Sequence, residues 1–294
     1  MMFSSLSFRS VILACVASAL PLEWANAAEP LRIVMQNGRS LALTAVSFEG
    51  GSFRVLAAVE GFTIDQVLPP ESVDHVFGDK PPELNPAIAL LLMDRPADAL
   101  KLLEPIIASQ RMTAKIPGNF WLEAARAALV AYAVNGNSAK CSGLGKEISD
   151  ATPSPGIDPF VALGKALLLP ATTKDEERAI AFRDLMSDSQ AADVSAYASI
   201  YLGNLLKAAK RKPDAALIAK QDSETLETYL MVSCLFSSGG LILNAVAEFK
   251  ASELLNALGP DRRTEAVALL KSSAQHSIGT LVAVEVNKRL ESLK

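Results

Sequence analysis

The sequence predicts a mainly α protein in which a small five-stranded β-barrel precedes an α-solenoid of about six helical hairpins. Three observations predict this order. Residues 31–77 contain short apolar stretches separated by turns about every ten residues, which is typical of strands in a small barrel. From Pro81 onward the apolar spacing becomes helical, and helix breakers recur at a nearly constant interval. Half of the 294 residues are apolar and 20% are charged, so the chain can bury a sizeable core.

Residues 1–27 have the features of an export signal. Arg9 supplies a positive charge, residues 11–22 form an apolar stretch, and Ala25-Asn26-Ala27 is a small-residue cleavage pattern. Cleavage after Ala27 would leave Ala28 as the mature amino terminus and would place the protein in the periplasm or outside the cell. Two alternatives stay open: an uncleaved anchor, and a lipoprotein modified at Cys15.

Residues 28–80 are predicted to form the barrel. Leu31, Ile33 and Met35 alternate with polar residues as in a half-buried strand, and Asn37-Gly38 is a hairpin turn signal. A 3₁₀ turn is predicted at Pro69-Pro70-Glu71-Ser72, since proline cannot serve a central ladder. The later strands are predicted at residues 40–48, 53–59, 62–68 and 73–77.

This order of strands and turns resembles the SH3-like and Sm-like barrels over about 47 residues. The resemblance rests on strand count and turn placement, because no family motif matches. Sm-like barrels usually carry a glycine in the bent second strand, and residues 40–48 contain none. The RNA-contacting residues of that family therefore cannot be assigned to this chain.

Residues 81–294 are predicted to form the helical hairpins. Their first helices are expected near Asn85, Asn119, Ile157, Gln190, Ser223 and Pro260, at intervals of about 33 to 38 residues. The breaks within the hairpins are expected at Asp94-Arg95, Gly136-Asn137, Thr172-Thr173, Arg211-Lys212, Gly239-Gly240 and His276. Residues 228–247 carry no charge and have the length of a membrane span, but Gly239-Gly240 would break the helix. We therefore expect a buried hairpin there and no transmembrane span in the mature chain.

Small residues recur twelve positions apart within several hairpins, where two helices could approach closely. The pairs are Ala87 with Ala99, Ala127 with Ala139, Gly203 with Ala215, and Ser233 with Ala245. With Leu202-Gly203 followed by Ala215 as the best match, the region resembles the tetratricopeptide repeat family, although the consensus Trp and Tyr are mostly missing. The resemblance implies a concave surface that binds a protein or peptide. A plain α-helical bundle with an accidental period is the alternative.

Few residues of this chain suggest catalysis, metal binding or nucleic-acid binding. The net charge of −4 gives no electrostatic surface for nucleic acid. His75 and His276 lie far apart in the sequence without a ligand-spaced neighbour, so no metal, cofactor or catalytic residue is predicted. Four basic residues near a predicted helix end could contact an anionic partner, or could simply complement the helix dipole. They are Lys207, Lys210, Arg211 and Lys212.

Two cysteines remain after the signal. Cys141 and Cys234 could form a disulfide in an oxidising compartment, but two buried thiols on separate helices are the favoured interpretation.

These observations favour a non-enzymatic, exported scaffold or adaptor that binds a protein or peptide partner in the cell envelope. One alternative is self-assembly through the terminal hairpin, where Leu281, Val282, Val284 and Val286 offer apolar surface. Another is a small-molecule binder or enzyme with a pocket between the barrel and the repeats. Polar residues converging at that junction would favour this last alternative, whereas a dry apolar junction would argue against it.

Overall fold

A computed structural model describes residues 29–59, 61–152, 158–209 and 214–293. Within these ranges the protein is mainly α, with two small antiparallel sheets followed by eleven α-helices. The export signal, with its cleavage site at Ala27 and Ala28, lies outside the described residues.

Six short strands form the amino-terminal part. They are β1 Arg32–Met35, β2 Ser40–Ala42, β3 Val46–Glu49, β4 Ser52–Val55, β5 Val67–Leu68 and β6 Val73–Phe77. One sheet has the order β2-β1-β6 and the other the order β3-β4-β5, and all pairs are antiparallel. In the described residues no ladder joins the two sheets, so they do not form a closed barrel.

The predicted second strand, residues 40–48, is divided in the structure. A 3₁₀ turn at Leu43–Ala45 separates β2 from β3 and carries the chain from one sheet to the other. Leu43 is buried in this turn, and its N–H donates to Leu31 O at 2.8 Å. The predicted 3₁₀ turn before the last strand is confirmed at Pro70–Ser72.

The two sheets are attached to the helical part through the loop that precedes α3. Ile116 from this loop is buried among the apolar side chains of the sheets. Val76 N–H donates to Pro117 O at 2.8 Å, and Gly118 has a φ of +77°. A Cβ at position 118 would lie 2.6 Å from Val76 O, so glycine is required for this close approach.

The helices follow in a continuous series. They are α1 Leu84–Leu92, α2 Pro96–Gln110, α3 Trp121–Val134, α4 Ser138–Ala151, α5 Pro159–Leu167, α6 Asp175–Asp188, α7 Ala192–Ala208, α8 Ala215–Leu235, α9 Leu241–Leu258, α10 Arg263–His276 and α11 Leu281–Ser292. The predicted starts near Asn85, Asn119, Ile157 and Gln190 lie within two residues of α1, α3, α5 and α7. Within the described ranges no helix is both long and apolar enough to cross a lipid bilayer.

The predicted helix start at Ser223 is wrong, because α8 runs through this position without a break. Hydroxyl residues near Ser223 resemble a cap in the sequence, but they bond within the helix. Thr225 Oγ1 donates to Gln221 O and Thr228 Oγ1 donates to Glu224 O, each at 2.7 Å. The next hairpin therefore consists of α9 and α10.

The small-residue pairs are only partly reproduced. Ala87 and Ala99 are both fully buried in the hairpin of α1 and α2, but Ala139 is exposed. A Cβ built on Gly203 would meet the ring of Tyr229 at 2.5 Å. The absence of a side chain at Gly203 therefore accommodates this aromatic ring.

The first helices of the five hairpins close a ring. The helices α1, α3, α5, α7 and α9 contact one another in this order, and α9 also contacts α1. In an open solenoid each repeat contacts only its neighbours, so the contact between α1 and α9 distinguishes this arrangement from the predicted one. The helix α9 is buried at every position from Ile242 to Ala251, since helices surround it. The helices of the ring therefore bury a shared apolar core between them.

Candidate ligand-binding site

A cavity of about 370 Å³ lies at the end of the ring where α1, α3, α5, α7 and α9 begin. Its wall consists of residues from the first two turns of these helices, of the glycines before α9, and of Lys80 on the segment between β6 and α1. Lys80 Nζ is 2.5 Å from Glu123 Oε1 on α3. The cavity therefore lies beside the junction between the sheets and the ring, and polar residues converge on it.

Arg126 on α3 is the central cation of this cavity. Its Nη2 is 2.6 Å from Asp158 Oδ2, and its Nη1 is 3.7 Å from Asp193 Oδ2. The guanidinium carbon lies 5.1 Å from the centre of the Phe160 ring, in a cation–π contact. The Arg126 side chain is 23% exposed, and its Nε is buried without a hydrogen-bond partner among the described residues.

Asp158 fixes both Arg126 and the start of α5. Its side chain is fully buried, and its Oδ1 accepts the N–H of Phe160 at 3.0 Å, which caps the helix. Pro159 follows at the first helical position, where proline is favoured because no N–H is needed. The sequence Asp158-Pro159 thus determines locally where α5 begins, and the same carboxylate orients Arg126 toward the cavity.

Asp193 lies in the first turn of α7. Its Oδ1 accepts the N–H of Val194 at 2.9 Å. Burial raises the pKa of this carboxyl group, whereas the hydrogen bond from Val194 and the charge of Arg126 oppose the rise. The neighbouring charge of Asp158 adds to it. The negative charge of Asp193 is therefore only partly compensated by Arg126 and by the N–H of Val194.

Tyr197 lies one turn further along α7 and is only 4% exposed. Its ring packs edge to face on Phe160, with ring centres 5.5 Å apart. Burial raises the pKa of the Tyr197 phenol well above its usual range, so the hydroxyl keeps its proton. This hydroxyl makes no hydrogen bond to the described part of the chain, although Tyr197 lines the cavity. A buried hydroxyl in this situation is available to a ligand.

The beginning of α9 forms the part of the wall next to α7. Gly239 packs so closely on α7 that a Cβ there would be 2.8 Å from Ala192 O, and Gly240 has a φ of +139°. No side chain caps this helix, and its first backbone bond runs from Asn244 N–H to Gly240 O. The amides of residues 241–243 therefore have no hydrogen-bond acceptor among the described residues.

A second, more open cleft of about 590 Å³ lies at the other end of the ring. Lys250 on α9 is 8% exposed there, and its Nζ is 3.7 Å from Asp94 Oδ2. Burial lowers the pKa of the Lys250 amine. Opposite charges around this cleft are paired with one another, because Glu253 contacts both Lys207 and Arg289 at 3.5 Å.

The residues singled out in the sequence do not converge on the cavity. Lys207 lies at the second cleft, and Lys210, Arg211 and Lys212 lie outside the described residues. Both cysteines are free: Cys141 is buried in α4, whereas Cys234 in α8 is exposed and so differs from the favoured interpretation.

The apolar residues of the terminal helix α11 are divided between its two sides. Val282 and Val286 are fully buried against the rest of the protein, and Val284 is 61% exposed. Much of the surface considered for self-assembly is thus already covered.

Sequence reasoning did not identify Arg126, Asp193 or Tyr197 as site residues. Arg126 stands in the alanine-rich stretch of α3, where a single arginine has the appearance of an ordinary surface residue. The signals that could have found the site were the cap Asp158-Pro159 and the pair Gly239-Gly240 before an apolar helix. Comparisons with family models, with curated proteins and with solved structures find no match to this chain.

Proposed function

We propose that this protein is a non-catalytic binding protein that holds a small organic molecule in the ring cavity. The observation that carries the proposal is Tyr197, a buried residue of the cavity wall whose hydroxyl has no hydrogen-bond partner among the described residues. A volume of about 370 Å³ is within the usual range of small-molecule pockets. Apolar residues such as Ile88 and Leu243 supply the remaining wall.

The test is native mass spectrometry of protein purified from its own host without denaturation. A small molecule should remain bound to the wild-type protein, and its occupancy should fall in the variant Tyr197→Phe. Tyr229→Phe is the matched control, since the Tyr229 hydroxyl on α8 donates to Asn204 Oδ1 at 2.9 Å and neither residue lines the cavity. Absence of any bound molecule from the wild type, or its retention in Tyr197→Phe, would argue against the proposal.

We further propose that the protein acts after export to the periplasm or the cell exterior. The pattern Ala25-Asn26-Ala27 supports this location. Amino-terminal sequencing of the protein isolated from the envelope fraction should begin at Ala28. A chain that begins with Met1 in the cytosolic fraction would contradict the location and leave the ligand-binding proposal intact.

A second candidate function is the binding of another protein through an apolar surface of the sheets. Phe48, Leu56, Ile64 and Val67 in this part are each between 42% and 58% exposed. In-cell crosslinking should then capture one heterologous protein, and the double variant Leu56→Ser, Ile64→Ser should lose it. Crosslinks that persist in the double variant would remove this surface as the contact. The tetratricopeptide-like concave groove is a weaker candidate, because α1 and α9 close the ring.

A further inference from the structure

We infer that the molecule held in the ring cavity is a small monocarboxylate with an apolar body, whose carboxylate lies on the free amides at the start of α9. This inference rests on the proposed function and adds the charge of the ligand to it. It follows from which hydrogen-bonding groups around the cavity are already satisfied and which are not.

Several hydrogen-bond donors around the cavity are unsatisfied among the described residues. The amides of residues 241–243 lie at the start of α9, where the helix dipole favours negative charge. Tyr197, on the neighbouring helix α7, is more than nine-tenths buried as a residue, and its hydroxyl is an independent donor. Arg126 Nη1 adds a third, since it makes no hydrogen bond to the described residues and lies 3.7 Å from Asp193 Oδ2. A ligand that satisfies these groups must present acceptor oxygens.

The acids beside the cavity already have donors of their own. Asp158 accepts from Arg126 and from the N–H of Phe160. Glu123 accepts from Lys80, and Asp193 accepts from the N–H of Val194. All three lie at the starts of helices, where the dipole accounts for their presence. Each of these acids therefore already accepts at least one hydrogen bond from the protein.

The charge balance favours one negative charge over two. The pairs Lys80 with Glu123 and Arg126 with Asp158 each sum to zero, and Asp193 remains as a nearby acid. A phosphate dianion would bring two further negative charges beside Asp193, whereas a monoanion brings one, which the start of α9, with no acid in its first turn, can stabilise. The apolar wall, which includes Ile88 and Phe160, suits an aromatic or aliphatic body.

The experiment compares three probes of one shape and different charge: benzoate, benzamide and benzylamine. Binding to the full-length mature protein is followed by saturation-transfer NMR at millimolar probe concentration and neutral pH. Benzoate should bind best of the three. Tyr197→Phe should weaken benzoate binding by about tenfold, the usual effect of losing a hydrogen bond to a charged group. Tyr229→Phe should leave benzoate binding unchanged.

Asp193→Asn tests whether the charge of the ligand matters, because a variant that only disturbs the structure would not strengthen binding. Removal of this negative charge should strengthen benzoate binding severalfold and should leave benzamide binding unchanged. Asparagine keeps a side-chain oxygen for the N–H of Val194, so the start of α7 is preserved. Circular dichroism of each variant confirms that the fold is retained.

Stronger binding of benzamide or benzylamine than of benzoate would overturn the inference, and so would the absence of benzoate binding. Weaker benzoate binding in Asp193→Asn would also overturn it. Each of these results would leave the proposed function standing if native mass spectrometry still shows a bound molecule that Tyr197→Phe loses. If benzoate does not bind and native mass spectrometry shows no bound molecule, the cavity is not a ligand site.

Discussion

Replacement of Gly203 by alanine tests whether α7 and α8 pack as the structure shows. A Cβ at this position would lie 2.5 to 2.8 Å from three ring carbons of Tyr229, which is fully buried. Gly143, in the middle of α4, is the matched control because a Cβ there would meet no atom within 4 Å. Both glycines are inside α-helices, so both replacements bring the same gain in helix propensity.

The expected magnitudes follow from these contacts. Alanine in place of glycine in a helix stabilises by about 1 kcal/mol, so Gly143→Ala should raise the free energy of unfolding by roughly that amount. Overpacking a well-filled core costs about 1 to 3 kcal/mol. Tyr229 cannot turn aside cheaply, since its hydroxyl donates to Asn204 Oδ1 at 2.9 Å. The free energy of unfolding of Gly203→Ala should therefore lie about 1 to 3 kcal/mol below that of Gly143→Ala.

The assay is urea unfolding at neutral pH, followed by far-ultraviolet circular dichroism. A smaller side chain in the double variant Gly203→Ala, Tyr229→Leu should recover part of the loss, with a coupling energy of about 1 kcal/mol. Equal stabilisation by the two single replacements would refute the reasoning, because it would mean that the Tyr229 ring does not fill the space beside Gly203.

Three further predictions concern buried charges, and urea unfolding checks each. Asp158→Ala should lower the free energy of unfolding by about 3 kcal/mol, because it breaks a largely buried ion pair and removes a helix cap. Asp158→Asn keeps the cap, so its free energy of unfolding should fall by about 1 kcal/mol less. Equal losses in the two variants would show that the cap contributes nothing. Burial raises the pKa of Glu248, whose Oε2 lies 3.8 Å from His276 Nδ1. The native state therefore binds the proton more strongly than the unfolded state. Stability should fall as pH rises from the unfolded pKa of 4.5 through the higher native pKa. Glu248→Gln should therefore stabilise the protein at pH 7 and have less effect at pH 4, and an equal effect at both pH values would contradict this. Burial lowers the pKa of Lys250 in the native state below the unfolded value of 10.5. The charged amine therefore destabilises the native state at pH values below the native pKa, and stability should rise as pH increases from the native pKa to 10.5. Lys250→Met should stabilise by about 1 kcal/mol at pH 7, since the partner Asp94 is 76% exposed and can return to water; a loss of stability would show that the ion pair outweighs the desolvation of the amine.

The sequence was sufficient for features that depend on a few neighbouring residues. Asp94-Arg95, Gly136-Asn137 and Gly239-Gly240 break helices where predicted, because the backbone preferences of these residues act locally. The order of strands before helices follows from the change in apolar period. The 3₁₀ turn at Pro70–Ser72 is likewise encoded by adjacent prolines.

Local reasoning failed where distant contacts decide the outcome. Ser223 resembled a helix start, but the hydroxyl groups around it bond to carbonyls of a helix that tertiary packing keeps continuous. Gly203 resembled half of a small-residue pair, and its actual neighbour is the ring of Tyr229. In both cases the same local sequence fits the predicted and the observed arrangement, so the sequence could not distinguish them.

The amino-acid sequence by itself determined the class of the protein, the approximate helix boundaries and the pattern of an export signal. Only the tertiary structure decided that the hairpins close into a ring and that Arg126, Asp193 and Tyr197 meet at its opening. Helix periodicity specifies which face of each helix is apolar, but not how far successive hairpins rotate relative to one another. That rotation brings α9 back to α1, and so the cavity exists only after the whole chain has packed.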